Sequence, residues 1–234
     1  MDVEIWSDIA CPWCYIGKRR FEAALEQFEH AGQVNVTWRS FELDPHAPAR
    51  RPLGVVEHLA TKYGQTTAGA QAMVDHMERV AAAEGLEYHL EDTQGGNTFD
   101  AHRLLHLAAD RGRQHELKEE LLRSYFTEGR PVSEHATLTD AAEAAGLDRT
   151  EVEAVLAGDD YTDAVRADEE QAYDFGISAV PYFVLNRKYG VPGAQDPEVI
   201  LNALRRAWTD AHPLEHIGTA GGDAAACDGD SCAV

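Results

Sequence analysis

The feature that most constrains this chain is the junction at residues 7–17, SDIACPWCYIG. Two cysteines, Cys11 and Cys14, stand where one periodicity gives way to another. Upstream, Val3 and Ile5 alternate with polar neighbours, as in a half-buried strand over residues 2–9. Downstream, Phe21, Leu25 and Phe28 draw one apolar stripe along a helix that is expected to run to about His30 and end at Ala31 and Gly32. Alternation resumes through Val34, Val36 and Trp38, so residues 34–43 read as a second strand. Strand, helix and strand in quick succession make a βαβ opening, with the cysteine pair at its first turn.

That position has chemical consequences. Pro12 suits the first helical turn. Cys11 then faces unpaired backbone N–H groups at the positive end of the helix dipole, which favours thiolate over thiol. Cys11 is the expected nucleophile, and Cys14, one turn further in, is the expected resolving thiol. Trp13 adds no charge, and Asp8 opposes a thiolate if it lies close. A zinc half-site is a second reading, and it would need Cys227 and Cys232, or histidines, to complete four ligands. A structural disulfide is a third. The N-terminus shows no basic segment, long apolar run or small-residue cleavage site, so the expected location is cytoplasmic, where structural disulfides are rare. A CxxC on a βαβ unit in that setting points to redox chemistry, with no metal site expected.

Composition narrows the partners. The 234 residues are 44% hydrophobic, enough for a sizeable core. The net charge of −21 argues against nucleic acid and against anionic membrane surfaces, both of which repel an acidic protein.

After residue 44 the pattern changes. LDPHAPARRPLG is a proline-rich break, and from about Val55 to Phe175 the chain reads as successive helices. Met73, Val74, Met77, Val80 and Ala81 make one stripe. Phe99, Leu104, Leu105 and Ala108 make another, with Asn97 expected as its N-cap. Leu117, Leu121, Leu122, Tyr125 and Phe126 make a third. Asp148 to Glu151 has the form of a capping box, and residues 86–90 read as a short extended link. His102 and His106 share a helix face and are weighed as metal ligands, although such pairs are more often packed side chains. Strand character returns in VPYFVLN, followed by a turn at Arg187 and Lys188 and a hairpin partner in YGV. Asp196 and Pro197 then open a helix with Ile200, Leu204, Ala207 and Trp208 on its buried face. The final stretch, which carries Cys227 and Cys232 as a CX4C, is small, acidic and glycine-rich, the composition of a mobile tail.

The segments WSDIACPWCYIGKRRFE, SFELDP, NTFDAHRLLHLA, LLRSYFTEGR and GISAVPYFVLN together resemble the FrnE-like branch of the DsbA family, over nearly the whole chain. The resemblance implies an α/β fold: a discontinuous thioredoxin-like domain from residues 1–44 and 166–217, an all-α inserted domain over 45–165, and an acidic tail over 218–234. It implies a cis-proline facing the cysteines, carried onto Pro181, with Val180 offering its backbone to an incoming peptide. It also implies that Cys227 and Cys232 relay electrons to or from Cys11 and Cys14. The same fold group includes kappa-class glutathione transferases and 2-hydroxychromene-2-carboxylate isomerases, which typically have serine where this chain has Cys11.

The resulting expectation is a cytoplasmic thiol–disulfide oxidoreductase of reductase or isomerase type. Cys11 and Cys14 act, supported by Pro12, Trp13, Val180 and Pro181. No organic cofactor is required, and glutathione is a candidate substrate or reductant. Expected partners are a disulfide-containing protein or small molecule and a thiol reductant such as thioredoxin. The alternatives are a glutathione-dependent isomerase or transferase acting on an aromatic or polyketide-like molecule, and a non-catalytic binding module or chaperone. Asn97 and Phe99 are candidates to line a substrate groove beside Cys11.

Overall fold

The computed structural model of the protein describes residues 1–213. The chain opens with β1 (Asp2–Ser7), α1 (Pro12–Glu26) and β2 (Asn35–Ser40). Seven helices follow: α2 (Val55–Tyr63), α3 (Thr67–Ala83), α4 (Phe99–Asp110), α5 (Gln114–Phe126), α6 (His135–Ala144), α7 (Arg149–Ala157) and α8 (Thr162–Asp174). The described part closes with the hairpin β3 (Tyr182–Leu185) and β4 (Tyr189–Pro192), then α9 (Pro197–Ala211). The four strands form one sheet in the order β2-β1-β3-β4, parallel between β1 and β2 and antiparallel elsewhere.

Alternation along β1 sorts its side chains to two faces. Val3 and Ile5 join Phe21 and Phe28 of the α1 region, Trp38, Phe183 and the α9 residues Ile200 and Leu204 in one core. Trp6 faces the other way and packs with Ala172, Ile177 and Val184 under α8. A larger core fills the helical region, with Leu104, Leu117, Leu121, Leu138 and Val152 at its centre, and it also takes in Ile9, Tyr15 and Ile16. The dithiol helix α1 therefore contributes to two cores. The α8 helix spans position 166 and anchors to the sheet. Its buried Asp168 accepts from Ser40 N–H at 2.9 Å and from Arg39 at 3.0 Å, and its carbonyl accepts from Trp6 Nε1 at 2.8 Å.

Several ends differ from the sequence reading. Helix α1 stops at Glu26, not near His30, because Gln27 and Phe28 tighten onto the carbonyls of Ala24 and Leu25. Phe28 is thereby turned into the core, edge-on to Trp208. Strand β2 ends at Ser40 because its pairing with β1 ends there; beyond it, Leu43 N–H turns to Asp8. The link expected over residues 86–90 runs without regular structure to His89, with Leu86 and Tyr88 buried in alternation, and ends one residue early where Leu90 opens a 3-10 turn. Met73 is exposed, and α3 buries Ala70 beside the expected Val74 and Ala81. Asn97 acts one place before the cap: Thr98 is the N-cap, and Asn97 Oδ1 accepts from Phe99 N–H at 2.8 Å. Asp148 caps α7 by accepting from Glu151 N–H at 3.0 Å, whereas the Glu151 carboxylate pairs with Arg111. Asp196 precedes Pro197 as expected but makes no side-chain cap.

Candidate active site

The turn from β1 into α1 places the two cysteines. Cys11 is the N-cap of α1, Pro12 is its first residue, and Cys14 N–H donates to the Cys11 carbonyl at 3.0 Å. Both cysteines are free thiols. Cys11 is 4% exposed and Cys14 is fully buried. Trp13 projects outward between them, 38% exposed. Tyr88 reaches across from the helical region to donate its hydroxyl to the Pro12 carbonyl at 2.7 Å.

The loop before β3 faces the pair. The Val180–Pro181 bond is cis, and the Val180 carbonyl accepts from the Cys11 thiol at 3.6 Å. Gly193 N–H donates to the Pro181 carbonyl at 2.8 Å, which pins the loop to the end of β4. A recess of about 140 Å³ opens here, lined by Ser178, Ala179, Val180, Pro181 and Tyr182 among others. A larger recess beside α9, lined by Tyr189, Arg205 and Asp210 among others, contains none of these residues.

Beneath the thiols lies a set of buried charged groups. Asp8 does not point freely at Cys11. Its carboxylate accepts from Ile9 N–H at 2.7 Å and Leu43 N–H at 2.8 Å and lies 3.3 Å from His102 Nε2. Burial alone would raise its pKa, but the bonds and charge of His102 and the Leu43 N–H outweigh it and hold the carboxyl below the ordinary range. Burial pushes the Cys14 thiol well up, the hydrogen bond and charge of Cys11 add to that, and Lys118 pulls it down. Lys118 itself is fully buried on α5. Burial lowers it to about 8, against the opposing charges of Cys14, Asp8 and Cys11.

Cys11, Cys14, Pro12, Val180 and Pro181 thus come together, with Trp13 at the rim. The Asn97 side chain is instead spent on the Phe99 N–H, and the Phe99 ring lies under Arg166 at 4.4 Å. His102 and His106 part company: His102 turns to Asp8, and His106 Nε2 lies 3.2 Å from Asp168. No metal-binding cluster of His, Cys, Asp or Glu occurs among the described residues. Cys227 and Cys232 lie outside the described residues. Lys118 escapes sequence reading, because a lysine in HELKEELL looks like part of a solvated helix face. The one available signal is its place next to Leu117, four residues before Leu122, at the edge of the apolar stripe.

Comparison with known proteins follows the same lines. The chain is 50% identical to a probable DsbA oxidoreductase from Streptomyces coelicolor, whose crystal structure matches with a TM-score of 0.87 over 100% of this chain and 99% of that one. It shares its fold with the cytosolic disulfide reductase DsbM from Pseudomonas aeruginosa, solved with GSH, at 15% identity and a TM-score of 0.61 over 89% of this chain and 99% of that one. It shares it equally with a 2-hydroxychromene-2-carboxylate isomerase, at 13% identity and a TM-score of 0.66 over 90% of this chain and 98% of that one. No helix among the described residues is long and apolar enough to cross a membrane. The family model of the DSBA-like thioredoxin domain matches residues 2–205, and the chain belongs to that family of disulfide oxidoreductases.

Proposed function

We propose that the protein is a cytoplasmic thiol–disulfide oxidoreductase of reductase or isomerase type, working through Cys11 and Cys14. The fold does not choose between this chemistry and small-molecule isomerisation, since proteins named for each share it. The observation that carries the reading is the second thiol. A free Cys14 lies one helical turn behind Cys11, and the Cys11 thiol faces the Val180 carbonyl at 3.6 Å. Small-molecule isomerisation needs no resolving thiol, whereas a second thiol lets the enzyme release its own mixed disulfide.

In this reading Cys11 attacks a substrate disulfide, and Cys14 then displaces the bound half by forming the Cys11–Cys14 disulfide. Pro12 and Trp13 shape the rim. Val180 and Pro181 present backbone to an extended substrate, in the manner of an added strand. No organic cofactor is required. Glutathione serves as substrate or reductant, because a dithiol exchanges with any thiol or disulfide that can reach it, and a thioredoxin or a low-molecular-weight thiol restores the dithiol. Cys227 and Cys232 act as a relay, their tether making the encounter intramolecular.

The test is the reduction potential of the Cys11–Cys14 couple, titrated against glutathione in the Cys227→Ser/Cys232→Ser background. We expect a value nearer the about −270 mV of thioredoxin than the about −120 mV of a strong oxidant. A value at the oxidising end would make the protein a disulfide donor. Failure to form a reversible disulfide, with activity on an aromatic substrate surviving Cys14→Ser, would move the reading to a glutathione-dependent isomerase. Function that survives replacement of both cysteines would move it to a binding module.

A further inference from the structure

Helix α5 does more than fill the helical core. Its first residue, Gln114, clasps the β2 backbone at Trp38: Oε1 accepts from Trp38 N–H and Nε2 donates to the Trp38 carbonyl, both at 2.9 Å. One turn further, Lys118 is carried inward on the same face, with its Nζ 5.5 Å from the Trp38 ring centroid. Lys118 is 0% exposed, and its Nζ hydrogen-bonds to no protein group among the described residues. Leaving a buried ammonium without a hydrogen-bonded partner is costly, and replacing such a group by an apolar one of the same size is often neutral or favourable. A fully buried lysine whose Nζ has the Trp38 ring beside it but no hydrogen-bonded partner calls for another use.

Its surroundings supply one. The groups whose charges act on Lys118 are Cys14, Asp8 and Cys11, which attract it when ionised, and Lys18, which repels it. On the other elements packed against α5, the charged groups are engaged elsewhere. His102 and His106 of α4 face Asp8 and Asp168, Arg39 of β2 pairs with Glu4 and Asp168, and His135 and Asp140 of α6 pair with Asp100 and Arg130. Asp8 is likewise occupied by His102 and two backbone N–H groups. Lys18 is held by Glu22 and Glu119, so among these groups Lys118 is the cation without a hydrogen-bonded partner, and its neighbours on α5, Leu117 and Leu121, pack into one core with Ile9, Tyr15 and Ile16 on either side of the dithiol.

We infer that Lys118 is the positioning residue for the resolving step, holding a positive charge near Cys14 while its thiol ionises in a buried site whose one nearby carboxylate, Asp8, is taken up by His102 and backbone N–H groups. This rests on the dithiol chemistry proposed above. The step balances as follows. Cys11 thiolate attacks a substrate disulfide RS–SR′, forming Cys11–S–S–R and releasing R′S⁻. The Cys14 thiol then gives its proton to water, and its sulfur attacks Cys11 Sγ. The Cys11–SR bond breaks with its electron pair on R–S⁻, which takes a proton from solvent. Two electrons pass from the dithiol to the substrate, and Lys118 is unchanged. Without the ammonium, the Cys14 thiolate forms only at higher pH. The inserted helical region thereby takes part in the chemistry and is more than a cover over it.

The experiment uses the full chain in the Cys227→Ser/Cys232→Ser background and a chromogenic aryl disulfide. Attack by Cys11 releases the first aryl thiolate, and resolution by Cys14 releases the second. The pH profile of the second release is compared between the parent and Lys118→Met, with Lys118→Gln as a second neutral replacement of similar length. We expect the second release to slow by about tenfold near neutral pH and its profile to move up by about one pH unit, the shift that corresponds to a tenfold change in thiolate. We also expect Lys118→Met to keep or raise thermal stability, because it removes a buried ammonium that has no hydrogen-bonded partner and keeps the volume filled. A folded variant whose second-release profile overlays the parent's would overturn the assignment. Absence of the first release in the parent would instead remove the dithiol reading itself, so the two failures are told apart.

Discussion

Gly17 shows how little room the dithiol helix leaves at its closest approach. A Cβ added there would lie 2.8 Å from Pro181 Cγ and 3.5 Å from Ala194 Cβ. In an exposed helix, Gly→Ala stabilises by about 1 kcal/mol. Here the extra carbon must displace the ring that follows Val180, and overpacking costs about 1–3 kcal/mol. We therefore expect Gly17→Ala to melt at lower temperature than the parent. It should also slow disulfide exchange, because the Val180 carbonyl that faces Cys11 moves with the ring. A melt raised by the ordinary helix gain would show that the loop yields freely. At this scale the sequence was readable where one residue type favours one place, as with Pro12 in the first turn of α1 and the cysteines around it. It was opaque where burial is decided by a distant partner. Lys18 lies in the charged run GKRRFE yet is 2% exposed, because Glu119 and Glu22 both accept from it at 2.6 Å.

At the scale of elements, those carboxylates join α1 to α5. Glu119 accepts from Tyr15 at 2.6 Å, from Lys18 and from both guanidinium nitrogens of Arg19. Glu22 accepts from Lys18 and Arg19 and lies 3.0 Å from His115. Burial works to raise both carboxyls. The Arg19 bond and the charge and bond of Lys18 overcome it at Glu119, and His115, Lys18 and Arg19 do so at Glu22, so each falls from 4.5 to about 2. A carboxyl whose folded pKa is depressed contributes stability above its unfolded pKa and loses it as the pH falls towards the folded value. The parent should therefore lose melting temperature between about pH 4.5 and pH 2. Glu119→Gln should melt lower at neutral pH and show a shallower slope through that window, as followed by melting temperature against pH. Parallel slopes would mean that the cluster does not bear on the stability of the α1–α5 contact. The periodicities that revealed α1 and α5 are local, so both helices were legible in the sequence. Their junction was not, since Lys18 and Glu119 are 101 residues apart. Element ends suffered for the same reason: β2 stops where its partner strand turns away, which no property of residues 41–43 announces.

The whole molecule is organised around a helix that belongs to two cores. Phe21 and Ala24 of α1 pack with the sheet and α9, while Tyr15 and Ile16 of the same helix pack with α4 and α5. Sequence periodicity reveals each helix and strand, but the placing of β3 beside β1 joins residues some 180 positions apart, which only the family resemblance implied. A helix shared in this way should prevent either region from unfolding alone: loss of the helical core strips one side of α1 and exposes the turn that carries Cys11 and Cys14. The chain offers probes that report on the two regions separately. Its four tryptophans, Trp6, Trp13, Trp38 and Trp208, all lie in the sheet, α1 or α9. Most helical residues, by contrast, lie in α2 to α8. Tryptophan fluorescence therefore follows the sheet region, and far-ultraviolet circular dichroism follows mainly the inserted helices. In a denaturant titration we expect the two curves to coincide, as a single cooperative transition requires. If ellipticity fell before the fluorescence changed, the helices would be a separable body, and a lysine on α5 would be poorly placed to hold its charge near Cys14 through each catalytic cycle.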